Sequence, residues 1–143
     1  YKDGLVYLDD GTNNGSQVTD YCKKDGFARD SKLMWMLGNY SFFVRPGMKR
    51  VAVITENPDP EKEDKDVMIS AYKDGSSKKI VLVAVNVGSV NRKYNLQDLK
   101  LKNQPLTPYT TSETSNLGKG TAIKTNEIVV PAKSVVTFVG ELE

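Results

Sequence analysis

The side chains that could act as acids, bases or nucleophiles are the carboxylates and a single thiol. The sequence has 143 residues, with 18 Asp and Glu, one Cys and no His. The lack of histidine excludes Ser-His-Asp and Cys-His catalysis and argues against a zinc site. Cys22 lies between Tyr21 and Lys23 and is interpreted as a buried or incidental thiol. No catalytic residue, metal site or cofactor is predicted.

The glutamates are not placed as a working acid–base pair. They fall in predicted loops, at strand ends or at the C-terminus, without the apolar surroundings that raise the pKa of a general acid. The set consists of Glu56, Glu61, Glu63, Glu113, Glu127, Glu141 and Glu143. Catalysis by this chain alone is therefore not expected.

The segment 56–66 is rich in acidic residues, six of its eleven positions being Asp or Glu. Closely spaced oxygen ligands suit calcium, so a calcium loop is one interpretation. The spacing does not match an EF-hand, however, and no glycine stands where its turn would need one. We interpret the segment as a solvated loop.

Composition and charge exclude several partner classes. Lys and Arg number 20, the formal net charge is +2, and 38% of the residues are hydrophobic. With this balance of charges, we expect no basic surface patch that would bind nucleic acid or an anionic membrane. No apolar run approaches the twenty residues that span a bilayer. The opening Tyr1-Lys2-Asp3-Gly4 does not resemble a signal peptide, and we expect the chain to be a piece of a longer protein.

Residues 31–45 are predicted to form the only substantial helix. Asp30 or Ser31 is suited to cap its first turn, and Pro46-Gly47 should end it. One apolar stripe follows the helical period and consists of Leu33, Met36, Leu37, Tyr40, Phe43 and Val44. Because Trp35 and other apolar residues lie off that stripe, the helix should be covered on two sides, with Trp35 in the core.

From residue 48 onward the apolar pattern changes to a period of two, which predicts strands. The expected strands are Lys49–Thr55, Val67–Lys73, Lys79–Val87, Arg92–Asn95, Leu106–Thr111, Thr121–Lys124, Glu127–Val130 and Ser134–Leu142. The fold class is thus mainly β, an antiparallel β-sandwich of about eight strands preceded by one helix. We divide the chain into a helix-containing segment, 1–47, and a β-sandwich domain, 48–143.

Several stretches carry motifs of one known family. Tyr1–Tyr7 and Met36–Gly47, the latter containing Leu-Gly-Asn-Tyr-Ser-Phe-Phe-Val-Arg-Pro-Gly, are similar to the end of the catalytic barrel of glycoside hydrolase family 30. The sandwich motifs also match, in the same order: Ile69–Lys73 with Ile80–Asn86, then Pro108–Ser112, then Val130–Val139. The amino-acid sequence of the first two stretches is most similar to the endo-β-1,6-galactanase-like branch of the family.

This resemblance implies a (β/α)8 barrel whose last loop and helix are residues 1–47, followed by the C-terminal sandwich. Family members are retaining O-glycosyl hydrolases with two catalytic glutamates, at the ends of the fourth and seventh barrel strands. Both positions would lie upstream of Tyr1, so neither is carried onto this sequence. The resemblance also implies a bacterial protein that is secreted, periplasmic or attached to the cell surface.

Two groups of residues are candidates for contact with sugar. Tyr1, Lys2 and Asp3 would follow the last barrel strand, at the face where barrel enzymes hold their active sites. Tyr72, Tyr94 and Tyr109 lie in predicted strands and could stack on glycan if exposed. The sequons at Asn14-Gly15-Ser16 and Asn39-Tyr40-Ser41 are interpreted as chance matches.

Three roles remain open from the sequence. The sandwich could pack on its own catalytic barrel and stabilise it, act as a carbohydrate-binding module that holds polysaccharide, or be an independent interaction domain. An exposed, coplanar row of aromatic residues would favour the second. The family's sandwich usually takes a strand from the N-terminus, which this sequence lacks. Dimerisation through the bare helix face or an open sheet edge is therefore also expected.

Overall fold

The computed structural model of the protein describes residues 4–9, 27–54, 66–97, 99, 105–124 and 126–143. Cys22, the sequon at Asn14 and nearly all of the acidic segment 56–66 lie outside these residues. The chain first forms an antiparallel hairpin of β1 (Val6–Asp9) and β2 (Phe27–Asp30). Strand β2 was not predicted, because its pairing with β1 joins residues far apart in sequence.

Helix α1 (Lys32–Ser41) follows directly. Ser31 caps it as predicted, its hydroxyl accepting from the Met34 N–H at 3.1 Å. The helix ends four residues earlier than expected. After Ser41 the chain tightens into turns, and the Arg45 guanidinium donates to the Ser41 carbonyl oxygen at 2.9 Å, which satisfies an acceptor at the helix end.

Among the described residues that follow α1 there are eight strands: β3 (Lys49–Val51), β4 (Val67–Lys73), β5 (Lys79–Asn86), β6 (Arg92–Asn95), β7 (Thr107–Thr111), β8 (Gly118–Lys119), β9 (Glu127–Val130) and β10 (Ser134–Glu141). Six of them form one antiparallel sheet in the order β3-β4-β5-β10-β7-β8, and β6 pairs with β9 in a second sheet. The mainly β, antiparallel fold preceded by one helix is confirmed.

Two strand predictions differ from the structure by more than one residue. Thr121–Lys124 makes only an isolated bridge, between Leu106 and Ile123, and the strand beside β7 is instead Gly118–Lys119. The expected strand from Lys49 stops at Val51. In both cases the apolar alternation continues past the residues that find a neighbouring strand, so the pattern overstates the pairing.

The six-stranded sheet is covered on both faces, so the fold has two hydrophobic cores, one on each face. Residues of β5 and β10 such as Leu82 and Phe138 face β6 and β9, where Ile128 and Val130 close the first core. On the other face, Val83 and Val135 pack with Phe43 beneath α1. The prediction that β5 is a central strand buried on both faces is confirmed.

Candidate functional site: the junction of helix α1 with the sheet

A buried polar network fixes α1 on the sheet. Asn39, Thr111 and Thr137 are all 0% exposed. The Asn39 amide donates to the Thr111 hydroxyl at 2.8 Å and to the Trp35 carbonyl oxygen at 3.1 Å. The Thr137 hydroxyl lies 2.8 Å from the Asn39 backbone carbonyl and 3.0 Å from its side-chain oxygen. Buried polar groups are costly unless paired, so the network admits one position of the helix.

The predicted apolar stripe of α1 is only partly correct. Met36, Tyr40, Phe43 and Val44 pack against the sheet, but Leu33 and Leu37 are 40% and 48% exposed. The buried residue of α1 is Asn39, whereas the stripe assigned Leu37 to the buried face. Asn39 follows Trp35 by four residues and Met36 by three, so the helical period brings it to the same face as these two side chains. The polar residue was missed because the pattern counted apolar side chains alone.

The connection from β7 to β8, residues 112–117, closes over the helix. The Lys32 ammonium donates to the Ser115 carbonyl at 3.3 Å and to the Asn116 side chain. The Leu117 N–H donates to the Thr111 hydroxyl at 3.1 Å. Leu117 has a φ of 49°, a left-handed conformation that is unusual for a bulky residue. It brings the side chain against Gly38, where an added Cβ would lie 3.0 Å from a Leu117 methyl carbon.

An aromatic cluster lies beside this network. The rings of Phe43 and Tyr109 are 4.5 Å apart, and those of Tyr40 and Tyr72 meet edge to face at 6.4 Å. The Tyr40 hydroxyl lies 3.2 Å from the Ser70 hydroxyl. These contacts join the last turn of α1 to β4, and the turn that follows the helix to β7.

The structure therefore separates the three tyrosines proposed to stack on sugar. Tyr72 and Tyr109 lie on the face covered by α1, whereas Tyr94 packs against the core on the opposite face. All three are half-buried. They do not form a coplanar exposed row. Tyr1, Lys2 and Asp3, the other sugar-contact candidates, lie outside the described residues, and their role stays a prediction.

Two further surface features bear on function. An open cavity of about 340 Å³ at the β3 edge is lined by Arg50, Val51, Ala52, Val53 and Ile69. Its lining has no aromatic side chain and one charged group. Phe42, at the end of α1, is 68% exposed and packs its ring against Phe43.

Among the described carboxylates, Asp74, in the turn between β4 and β5, has a clearly shifted pKa. The Ser76 N–H and the hydroxyls of Ser77 and Ser76 donate to it and hold its pKa well below the usual range. This favours the charged form, the opposite of what a general acid needs. Within the described ranges, no three His, Cys, Asp or Glu side chains are grouped to hold a metal. No helix there has the length and apolar character needed to cross a bilayer.

Comparison with known proteins identifies relatives, several of which are named xylanases. No protein-family model matches the chain. It is 37% identical over 123 residues to glucuronoxylanase XynC of Bacillus subtilis, a match that covers 82% of this chain and 26% of that protein. Thus the chain spans about a quarter of the length of this relative.

Solved structures also match this chain over about a quarter of their own length. A conserved exported protein from Bacteroides fragilis matches with a TM-score of 0.78 and 34% identity, over 94% of this chain and 26% of the other. A family 30 endoxylanase from Clostridium papyrosolvens C71 matches with a TM-score of 0.62 and 33% identity, over 78% and 28%. None of these relatives is named a galactanase, so the galactanase-like branch stays a prediction. The resemblance is otherwise confirmed: the chain corresponds to the C-terminal β-domain region of glycoside hydrolase family 30 enzymes.

Proposed function

We propose that the chain is the non-catalytic C-terminal part of a secreted, polysaccharide-degrading glycoside hydrolase, and that it packs on the catalytic barrel and stabilises it. The observation that carries this proposal is the exposure of Leu33 and Leu37 on the side of α1 turned away from the sheet. The polar network at Asn39 prevents the helix from turning these leucines inward. Their burial therefore requires a surface supplied by another part of the protein.

The length of the relatives supports a barrel as that surface, since about three quarters of each lies outside the region matched here. The two catalytic carboxylates of a retaining enzyme would then belong to the barrel. The relatives' names make xylan the first substrate to test. The second is β-1,6-galactan, because the first two motifs are most similar to the galactanase-like branch of the family. Export of the Bacteroides fragilis relative supports a secreted, periplasmic or cell-surface location.

The test is a comparison of two surface substitutions in the full-length enzyme. Leu37→Glu should lower the free energy of unfolding by more than about 2 kcal/mol, because it places an unpaired carboxylate in an apolar contact. The matched control is Val129→Glu on the outer face of β9, where Val129 is 39% exposed. It should change stability by no more than about 0.5 kcal/mol. Thermal unfolding measures both, and equal effects would contradict the proposed packing.

The roles as a carbohydrate-binding module and as an independent domain stay predictions, as does dimerisation through the helix face or sheet edge. The division of the three tyrosines between two faces does not favour the module. Calorimetric titration with xylan, β-1,6-galactan and β-glucans would detect it.

A further inference from the structure

The β7–β8 loop, residues 112–117, is held firmly at one end of the molecule. Its main-chain turn is closed by the Ser112 N–H on the Ser115 carbonyl at 2.9 Å, and the Ser115 hydroxyl donates to the Thr110 carbonyl at 3.0 Å. Lys32 and Thr111 bind it from the helix and the strand. The loop is therefore a fixed feature at the N-terminal end of α1.

Two side chains of this loop point to a role beyond holding the helix. Glu113 and Thr114 are exposed, whereas the loop's anchoring contacts come from its other residues. Within the described part of the chain, neither of the two side chains has a hydrogen-bond or ion-pair partner. The loop thus presents a carboxylate acceptor and a hydroxyl, which acts as donor and acceptor, on a rigid base.

The direction of α1 decides which side of the intact enzyme this loop occupies. In (β/α)8 barrels the active site lies at the face where the strands end and the helices begin. If α1 is the last helix of the barrel, as the resemblance to family 30 implies, its N-terminal end and the loop attached at Lys32 lie on the catalytic face.

We propose that Glu113 and Thr114 contact the polysaccharide outside the central sugar-binding positions, as a distal subsite contributed by the β-domain. This inference rests on the proposed function. The two side chains would hydrogen-bond hydroxyl groups of a sugar several units from the cleaved bond. Because Glu113 is negatively charged, the subsite should take an uncharged stretch of the chain and disfavour a carboxylated sugar.

The experiment compares long and short substrates in the purified full-length enzyme. The variant Glu113→Ala/Thr114→Ala should raise KM for polymeric xylan by about three- to tenfold, the effect of losing one or two hydrogen bonds. The value of kcat should not change, and neither should KM for a xylotriose-sized oligosaccharide that cannot reach the loop. Glu113→Gln should retain part of the polymer affinity.

The matched control is Thr121→Ala/Glu143→Ala, which removes the same two side-chain types from exposed positions at the opposite end of the sheet. It should behave as wild type on both substrates. A polymer KM for the loop variant within twofold of wild type overturns the subsite while leaving the proposed function in place. Equal losses on long and short substrates, or a lower melting temperature, overturn it as well. A full-length protein that hydrolyses no polysaccharide overturns the proposed function and the subsite together.

Discussion

The hydroxyl of Thr137 and the carbonyl groups of Asn39 meet across 98 residues of sequence, at 2.8 Å and 3.0 Å. One hydroxyl proton is shared by two acceptors, one on the backbone and one on the side chain of the same asparagine. With the amide of Asn39 bound to Thr111, this side chain connects α1 to both β7 and β10. The helix is consequently held in its last turn by the polar contacts of Asn39, and beside them by the apolar packing of Met36 and Tyr40.

Removing this asparagine should destabilise the domain. Asn39→Ala removes the amide that binds Thr111 and Trp35 and the side-chain acceptor of Thr137, and it creates a small cavity. Because Thr137 keeps the backbone carbonyl at position 39, we expect a loss of about 1–3 kcal/mol. Urea unfolding followed by circular dichroism measures the loss. Asn95→Ala, at an exposed position on β6, is the control and should change stability by about 0.5 kcal/mol or less. Comparable effects at both sites would contradict the role given to the network.

A second prediction concerns two glycines with different surroundings. A Cβ at Gly88 would lie 2.9 Å from the Asp66 carboxyl carbon and 3.1 Å from the Asn86 side-chain oxygen, whereas nothing lies within 4 Å at Gly75. Gly88→Ala should therefore cost about 1–3 kcal/mol through overpacking. Gly75→Ala should be neutral or slightly stabilising, since it reduces the freedom of the unfolded chain. Equal melting temperatures for the two variants would contradict the predicted overpacking at Gly88.

The turn at Asp74 gives a pH dependence with a defined sign. Hydrogen bonds from Ser76 and Ser77 lower the pKa of Asp74 in the folded state, so the folded protein binds a proton less readily than the unfolded one. The contribution to stability is present above a pH of about 4, the ordinary Asp value, and declines as the pH falls toward the lower folded-state pKa. Wild type should thus exceed Asp74→Ala in stability at pH 7, by a margin that shrinks below pH 4. A margin that grows on acidification would contradict this assignment.

The half-buried tyrosines permit a test that separates packing from sugar binding. Tyr109→Ala removes a ring that packs 4.5 Å from Phe43 and should lower stability by about 2–4 kcal/mol. Tyr109→Phe keeps the ring and should lie within about 1 kcal/mol of wild type. If Tyr109→Ala instead unfolds like wild type and loses saturable binding to a glycan by calorimetry, the stacking role predicted from the sequence would be supported.

The strands were predictable where local pattern and pairing agree. Val67–Lys73, Arg92–Asn95 and Glu127–Val130 have the bounds expected from their alternation and turns. The pattern failed where pairing alone decides, as in Gly118–Lys119, which is a strand because Tyr109 and Thr110 lie opposite it. Two residues are too few for a period to be visible.

The candidate site was less predictable than the fold. Sequence reasoning gave Leu37 to the buried face of α1, because a leucine is normally preferred there to an asparagine. Asn39 occupies that face because Thr111 and Thr137 supply partners from distant strands, which no local pattern reveals. The sequence did predict that the helix has more apolar surface than one sheet can cover, and the exposed Leu33 and Leu37 are consistent with that expectation.

The complete burial of Asn39 also governs how the protein can be produced. Asn39-Tyr40-Ser41 is a glycosylation sequon, and the nitrogen to which a sugar would be joined is the atom that donates to Thr111 and Trp35. The folded domain leaves an oligosaccharyltransferase no access to it. A eukaryotic secretory host modifies the chain before it folds, however, and a sugar placed there would keep α1 off the sheet. Such a host should yield a modified, misassembled fraction that a bacterial host does not.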